Sequence, residues 1–270
     1  MGGILMSARS ILFTLFGDVF LSRSEPVPLA VATVLLEPLN IGPEATRAAL
    51  SRMAREGWFT SKRHGRQSSY QLTPRGHERL THARLRIYRR ADEPWDGNFI
   101  ILGLTTSALA PSIRRNMVRE LQFLGWASLG PYQWATPSAR YPETMEILER
   151  YELQRTAWIV KGTLWVPDPV EWASKLYPMQ ALNERYQAFI HEWAGAEARL
   201  PEREAFVNRI QLVHAWRKFL FIDPGLPHDL APPTFSRAEA RSLFHRLYDQ
   251  WYQPSTAFIE QCLGEALLLS

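Results

Sequence analysis

The sequence contains very little cysteine and no long hydrophobic run. Its single cysteine, Cys262, excludes an internal disulfide bond and a zinc site built from cysteines, and it fits a reducing compartment. The longest uninterrupted apolar run, around residues 27–36, is too short to span a bilayer. The apolar opening through Leu21 is interrupted by Asp18, and no small-residue cleavage site follows it, so a secretory signal is not expected. We therefore expect a cytoplasmic protein without a membrane partner.

The sequence motifs of common enzymes are missing as well. The chain has no glycine-rich phosphate loop, no nucleophile elbow and no catalytic histidine–carboxylate signature. His214, His228 and His245 follow no spacing that is typical of metal ligands, and isolated histidines are more often hydrogen-bonded structural residues. We therefore expect a protein with no catalytic residues, no metal and no cofactor.

The positive charge is concentrated in the first third of the chain. Residues 1–90 contain 14 lysines and arginines against 6 aspartates and glutamates, which gives a net charge of +8. Residues 91–270 contain 17 against 21, which gives −4 and agrees with the total of +4. Such a concentration is typical of a surface that binds a polyanion. A solvated basic surface explains the count equally well, so the arrangement of the charges has to decide.

Hydrophobic periodicity predicts a winged helix-turn-helix fold over residues 1–92. Apolar residues at three-and-four spacing indicate a first helix, and Pro43 with Glu44 suits the opening turn of the third. The predicted elements are helices at 7–20, 27–39 and 43–56, strands at 58–63 and 68–73, and a helix at 74–90. In this fold the third helix enters the major groove and the hairpin, or wing, lies along the DNA backbone.

Basic and polar side chains on the third helix and the wing are the predicted DNA contacts. The guanidinium group of arginine can pair two acceptors on guanine, and a basic wing can contact phosphates. The candidate residues are Arg47, Ser51, Arg52 and Arg55 on the helix, and Lys62, Arg63, His64 and Arg66 on the wing. Arg52 either joins the base contacts or ties the helix to the wing. The alternative is a small helical-hairpin domain that contacts proteins.

Three blocks in this first segment resemble the PaaX family of bacterial repressors. They are the run Ala8 to Asp18, the run Thr46 to Trp58, and the run Gly65 to Gly76. The resemblance is carried by ordered spacing over about seventy residues rather than by one short motif. It implies a repressor of phenylacetic acid catabolism genes, bound to double-stranded operator DNA as a homodimer and relieved by phenylacetyl-coenzyme A.

The segment over residues 93–168 has the order strand, helix, two strands, helix, strand, which predicts a ferredoxin-like domain. The PaaX resemblance implies here a domain similar to the Cas2 nucleases. A nuclease of that kind needs a carboxylate near the end of its first strand to hold a cation. The strand at 100–107 ends in hydroxyls instead. We therefore expect a scaffold or dimer contact, and metal-dependent cleavage of nucleic acid would be the test for the alternative, a Cas2-like nuclease.

The segment over residues 169–270 is predicted to be helical. Helices are expected at 169–194, 201–221, 236–252 and 254–268, with a proline-rich connection at 223–233. The run Leu212 to Phe219 and the run Asp223 to Pro227 resemble the C-terminal domain of the PaaX family. The sequence therefore predicts an α+β protein with three domains in chain order.

The acyl-coenzyme A effector implied by the resemblance needs basic groups for its phosphates and aromatic rings for its adenine. Two clusters beyond residue 94 qualify: Arg114, Arg115 and Arg119, and Trp216, Arg217 and Lys218. The alternatives are a solvated helix face for the first cluster and, for the second, an ion pair within the chain between its basic residues and Asp223. A different aromatic or acyl thioester remains open as the effector.

Overall fold

A computed structural model describes residues 7–65, 67–92, 94–105, 109–138 and 140–268, apart from the side chains of His64 and residues 265–268. Contacts along the chain form two compact units. The first unit combines residues 1–89, 192–217 and 241–270, and the second combines residues 90–191 and 218–240. The predicted three-domain division follows chain order, with boundaries at 1–92, 93–168 and 169–270, and it stays a prediction.

The first unit opens with three helices. They are α1 (Ala8–Leu15), which continues as a π-helical turn over Phe16–Phe20, α2 (Leu29–Leu36) and α3 (Pro43–Arg55). The Ser7 hydroxyl caps α1 by accepting a hydrogen bond from the Ser10 amide at 3.2 Å. Pro43 begins α3, where its fixed φ suits a helix and its missing N–H leaves no bond unmade. The three predicted helices are therefore observed, with different bounds for the second.

A three-stranded antiparallel sheet follows, in the order β1, β3, β2. Its strands are β1 (Val27–Pro28), β2 (Phe59–His64) and β3 (Gln67–Leu72), and α4 (Pro74–Ile87) comes next. The sequence predicted helix from residue 27, which is wrong for the first two residues. Val27 pairs with Tyr70, and Pro28 keeps an extended conformation with ψ of 144° as it caps α2. The helix begins only after this proline.

The second unit contains a four-stranded antiparallel sheet with two helices. Its elements are β4 (Phe99–Leu104), α5 (Pro111–Phe123), β5 (Ala127–Gly130), β6 (Gln133–Thr136), α6 (Tyr141–Arg150) and β7 (Ala157–Gly162). The strand order is β5, β6, β4, β7. Ile100, Leu102 and Leu104 point from β4 to one face, where they pack with Met117 and Leu121 of α5. The predicted sequence of strands and helices is confirmed.

The predicted helix at 169–194 is two helices in the structure. They are α7 (Pro169–Leu176) and α8 (Met179–Trp193). Pro178 disfavours the helical conformation of the residue before it, and Tyr177 is extended, with φ of −118° and ψ of 144°. The buried Tyr177 hydroxyl donates to the carbonyl oxygen of Gly125 at 3.0 Å, which fixes the break.

The opposite correction applies at the end of the chain. After α9 (Glu202–Trp216) and 3₁₀ turns at Arg217–Phe221 and His228–Leu230, α10 runs from Arg237 to Leu268. The sequence predicted two helices separated at Pro254, but the proline lies inside one helix. The hydroxyls of Ser255 and Thr256 donate to the carbonyl oxygen of Tyr252, at 2.9 and 2.7 Å, and supply hydrogen bonds beside the interrupted turn. No helix in the described part of the chain is long and apolar enough to cross a membrane.

Candidate nucleic-acid interface

Helix α3 has one buried face and one basic exposed face. Its buried residues are Thr46, Ala49, Leu50 and Met53, and Thr46 also donates to the Gly42 carbonyl at 3.1 Å. The predicted base-contacting residues Arg47, Ser51, Arg52 and Arg55 are all exposed. The structure therefore brings three guanidinium groups and a hydroxyl onto a single accessible helix surface.

The wing is the hairpin of β2 and β3. Lys62 pairs with Ser69 and Arg63 with Ser68, and both basic side chains are exposed. Because neighbouring residues of a strand point to opposite faces, Lys62 and Arg63 present their charges on the two sides of the hairpin. Arg63 Nε donates to the carbonyl oxygen of Gly65 at 3.2 Å. The predicted contact Arg66 and the side chain of His64 lie outside the described residues.

A tight junction holds the wing against α4. Thr73 accepts a hydrogen bond from the Gly76 amide and donates to the Gly57 carbonyl, at 3.0 and 2.8 Å. A Cβ atom at Gly76 would lie 2.5 Å from the backbone oxygen of Trp58, so a larger residue does not fit there. The Trp58 ring itself makes an edge contact with Phe13, with ring centroids 4.6 Å apart. These contacts set the angle at which the hairpin leaves the helices.

The core of this unit includes residues from the end of the chain. Phe206, Ile210, Ile259 and Cys262, which lie on α9 and α10, belong to the same buried hydrophobic cluster as residues of α1, α2 and α3. The buried thiol of Cys262 is part of this core. The surface formed by α3 and the hairpin therefore rests on packing that the first ninety residues do not supply alone.

A buried ion pair involves Asp18, in the middle of the π-helical turn that follows α1. Arg209 Nε donates to Asp18 Oδ2 at 2.9 Å, and Tyr248 donates to Asp18 Oδ1 at 2.8 Å. Tyr88 also donates to this carboxylate, and Arg209 Nη1 donates to Ser255 Oγ at 2.9 Å. Burial acts to lower the pKa of Arg209, whereas the negative charge of Asp18 acts to raise it. The net result is a pKa above the ordinary value for arginine. The only sequence signal for this network is an aspartate inside an apolar run, and sequence reasoning did not assign it a role.

A second buried arginine that the sequence did not reveal lies in the second unit. Arg237 pairs with Asp92 at 2.9 Å and with Asp223 at 3.5 Å, and it donates to the Leu226 carbonyl. Tyr186 donates its hydroxyl to the same Asp223. The cluster ties the proline-rich connection to the beginning of the unit.

Two members of the second predicted effector cluster have structural partners in the first unit. Trp216 is buried, donates to the Ile87 carbonyl at 3.0 Å and stacks on Phe244. Arg217 donates to the Ser10 carbonyl at 2.8 Å, and burial lowers the pKa of Arg217 to about 10. The alternative ion pair of Arg217 with Asp223 is therefore wrong, because Arg217 bonds to α1. Lys218 is exposed.

In the first predicted effector cluster, one arginine has partners within the protein and two are exposed. Arg114 donates through Nη2 to the Pro131 carbonyl at 2.8 Å and lies over the Tyr132 ring, with 5.3 Å between Cζ and the centroid. Arg115 and Arg119 are exposed on α5. The structure thus leaves Arg115, Arg119 and Lys218 as the accessible basic residues of the two clusters.

The histidines that the sequence analysis considered as metal ligands contact different parts of the chain. His214 Nδ1 lies 3.2 Å from the Thr14 hydroxyl, and His245 Nε2 lies 3.2 Å from the Arg89 carbonyl oxygen. Among the residues that the structure describes, no group of three or more His, Cys, Asp or Glu side chains is placed to hold a metal ion. The end of β4 was predicted to carry hydroxyls where a nuclease needs a carboxylate. The first of these residues, Thr105, donates its hydroxyl to the Thr156 carbonyl at 3.0 Å.

Comparisons with known proteins agree on one family. A family profile described as PaaX-like protein matches residues 7–76, and one described as PaaX-like protein C-terminal domain matches residues 177–261, together more than half of the chain. The chain is 28% identical, over 95% of its length and 84% of the relative, to the transcriptional repressor PaaX of Escherichia coli strain K12. The solved structure of the uncharacterized protein Rv0674 from Mycobacterium tuberculosis shares its fold, with a TM-score of 0.62 and 18% identity, over 93% of this chain and 98% of that one.

Proposed function

This chain belongs to the PaaX family, and we propose that it is a DNA-binding transcriptional repressor of phenylacetic acid catabolism genes that phenylacetyl-coenzyme A releases from its operator. A chain that belongs to a family of regulators is expected to act by binding rather than by catalysis. The Escherichia coli relative is a transcriptional repressor.

The exposed face of α3 carries the proposal. Arg47, Ser51, Arg52 and Arg55 share this face, whereas the opposite face is buried. An arginine-lined helix of this kind fits the major groove, where arginine recognises guanine through two acceptors. Its first turn contains Glu44, its last turn contains Arg52 and Arg55, and Glu56 directly after it pairs with Arg9.

The neighbouring elements support a winged helix-turn-helix arrangement. Three helices are followed by a hairpin whose exposed Lys62 and Arg63 are suited to phosphate oxygens. In the second unit, the βαββαβ order with an antiparallel sheet supports a ferredoxin-like, Cas2-like domain, which we assign to scaffolding or dimer contacts. A homodimer would present two α3 helices to a palindromic operator about one DNA turn, or a multiple of it, apart.

The proposed effector, phenylacetyl-coenzyme A, is inferred from membership of the PaaX family. Coenzyme A contains a pyrophosphate, a 3′-phosphate and an adenine, and free phenylacetate contains none of these. A ligand can release DNA only if it binds the DNA-free state more tightly than the bound state. The thioester is therefore expected to release DNA at concentrations where phenylacetate does not, and a different acyl-coenzyme A is the alternative effector.

Selection of bound fragments from a random DNA pool, followed by footprinting, tests the DNA-binding part without knowledge of the operator. The expected result is a palindromic site protected at both halves, and loss of preference at one base position per half-site in Arg47→Ala. Arg203→Ala, which removes an exposed arginine of α9 in the same unit, is the matched control and is expected to bind normally. A protein that selects no sequence would refute the proposal, and one that binds asymmetric sites as a monomer would refute the dimer.

Titration of the selected complex with phenylacetyl-coenzyme A and with phenylacetate tests the effector. We expect release by the thioester alone. Equal effects of the two compounds, or no effect of either, would exclude this effector class.

A further inference from the structure

Two aromatic side chains of the second unit contact each other on its exposed surface. Phe123, the last residue of α5, is 41% exposed, and Phe221, in the 3₁₀ turn Arg217–Phe221, is 62% exposed. Their ring centroids are 5.7 Å apart, at an interplanar angle of 42°. Ile222, which follows directly, is 37% exposed. Apolar area left in water is unfavourable, and exposed patches of large apolar side chains commonly mark binding sites.

A basic residue precedes each of the two phenylalanines at a helical spacing. Arg119 precedes Phe123 by four residues on α5 and therefore lies on the same helix face. Lys218 precedes Phe221 by three residues in a 3₁₀ turn, where residues at this spacing eclipse one another. Both basic residues are exposed. The contact between the two rings thus joins basic residues that are about a hundred positions apart in the sequence.

No described carboxylate forms an ion pair with the basic side chains of this surface. Arg119 and Lys218, and Arg115 one turn earlier on α5, form no ion pair with any residue that the structure describes. Other basic residues of the unit are paired: Arg150 with Glu120, Lys161 with Asp96, and Lys175 with Glu171. The carboxylate closest in sequence to Phe221 is that of Asp223, which pairs with the buried Arg237. The surface therefore combines exposed aromatic rings with exposed positive charge that no described carboxylate pairs.

We propose that Phe123 and Phe221, with Arg119 and Lys218 beside them, bind the phosphorylated adenosine part of an acyl-coenzyme A. The adenine stacks on the exposed ring of Phe221, and the phosphates accept hydrogen bonds from the guanidinium and ammonium groups. This site rests on the proposed function for the identity of the whole ligand. Its chemistry, a flat base joined to phosphates, follows from the side chains themselves.

Calorimetric titration of the full chain with coenzyme A and with adenosine 3′,5′-bisphosphate, in the absence of DNA, measures the site directly. Because a base stacked on an aromatic ring gains affinity from its π face, Phe221→Ala is expected to weaken both probes about tenfold. Phe221→Trp is expected to preserve affinity, and Phe221→Leu, which keeps an apolar side chain without a π face, to weaken it. The exposure of Phe221 makes these variants compatible with folding, which circular dichroism checks.

The basic residues have a matched test. Arg119→Ala and Lys218→Ala are each expected to weaken adenosine 3′,5′-bisphosphate about tenfold, the loss of a charge-assisted hydrogen bond. Their affinity for unphosphorylated adenosine should stay as in the unmodified chain. Arg155→Ala, an exposed arginine of the same unit that forms no ion pair with the described residues, is expected to change nothing.

The outcomes separate the site from the proposed function. Unchanged affinity of folded Phe221→Ala and Arg119→Ala for both probes overturns the site, even if phenylacetyl-coenzyme A releases DNA. Affinity that depends on these residues supports the site, even if the chain selects no DNA. A Phe221→Ala variant that alters sedimentation but not affinity for the probes assigns the surface to a protein contact, and this also overturns the proposal.

Discussion

Each of the two units contains a buried arginine that connects distant parts of the chain, and the carboxylates around these arginines differ. The side chains of Arg209 and Arg237 are each 4% exposed. Arg209 pairs with one carboxylate, that of Asp18, which is 0% exposed. Arg237 pairs with two, those of Asp92 and Asp223, which are 15% and 11% exposed.

This difference shows how isolation from water changes the role of an ion pair. The Asp18 carboxylate has no access to solvent, and its hydrogen bonds come from an arginine and tyrosines, so it depends on them entirely. The carboxylates around Arg237 border water and can be partly hydrated. The Asp18 pair also adjoins α1, which packs against α3, whereas the Arg237 cluster holds the connection near Leu226. We therefore expect the first pair to control stability and DNA binding, and the second mainly stability.

The largest expected effect is that of Arg209→Met. Removing one partner of a buried ion pair leaves an uncompensated charge, and we expect the free energy of unfolding to fall by about 3–5 kcal/mol. DNA binding should weaken with it. Denaturant titration measures the loss. Asp18→Asn in the same chain removes the stranded charge and should recover part of the stability, and a double variant no more stable than Arg209→Met would contradict this explanation.

Arg237→Met should cost less, at or below about 3 kcal/mol, because its two carboxylates can be partly hydrated. Hydrogen exchange should show the lost protection near Leu226. The affinity of the folded fraction for DNA should not change. A loss as large as that of Arg209→Met, or a specific loss of DNA binding, would remove the distinction between the two clusters.

Arg47→Ala tests the surface that the Asp18 pair supports. We expect DNA binding to weaken by about 1–3 kcal/mol, with relaxed preference at one base position. The free energy of unfolding should change by less than about 0.5 kcal/mol, because the side chain is exposed. Fluorescence anisotropy and denaturant titration give the two values. Full affinity with unchanged preference would remove Arg47 from the set of base contacts.

Alkaline pH provides a smaller test of the first network. Burial and the Asp18 charge raise the pKa of Tyr88 and of Tyr248. A tyrosine with a raised pKa holds its proton more tightly in the folded state, so its stabilisation is complete below pH 10 and is lost above it. Each tyrosine should lower the free energy of unfolding by up to about 1.4 kcal/mol per pH unit above pH 10. Tyr248→Phe should show a shallower decline in denaturant titrations from pH 9 to 11.

Arg217 is expected to change the pH dependence of the free energy of unfolding in the opposite direction, so its variant is the control for the tyrosine test. Burial lowers the pKa of Arg217 to about 10, so between this pH and the ordinary arginine pKa the unfolded chain binds the proton more tightly. Its contribution therefore raises stability as pH rises through this window. Arg217→Met should make the alkaline decline steeper, and a decline that is unchanged in both variants would contradict the assignment.

The smallest expected effect is that of Lys62→Ala on the wing. If this side chain contacts a phosphate, its loss should reduce the slope of log affinity against log salt by about one unit, with no change in the preferred sequence. Binding measured at several salt concentrations gives the slope. An unchanged slope would place Lys62 off the DNA, whereas Arg63→Ala would then test the other side of the hairpin.

Local sequence patterns were sufficient for much of the fold and for the candidate interface. The spacing of Ala49, Leu50 and Met53 determined which face of α3 is buried, and so which side the arginines occupy. Alternating and continuous apolar runs predicted the hairpin and the βαββαβ order. These features depend on residues close in the chain, where the helix and strand periods relate position directly to burial.

The sequence by itself therefore determined the first three helices with the hairpin, the βαββαβ order of the second unit, the basic face of α3 and the charged wing. Only the tertiary structure decided that Arg209 meets Asp18, 191 positions away, and that Trp216 and Arg217 are structural rather than accessible. It also decided that Phe221 meets Phe123 and that α10 continues through Pro254. The physical reason is that a buried charge, a stacked ring or a continued helix depends on partners supplied by distant segments, which a local period does not encode.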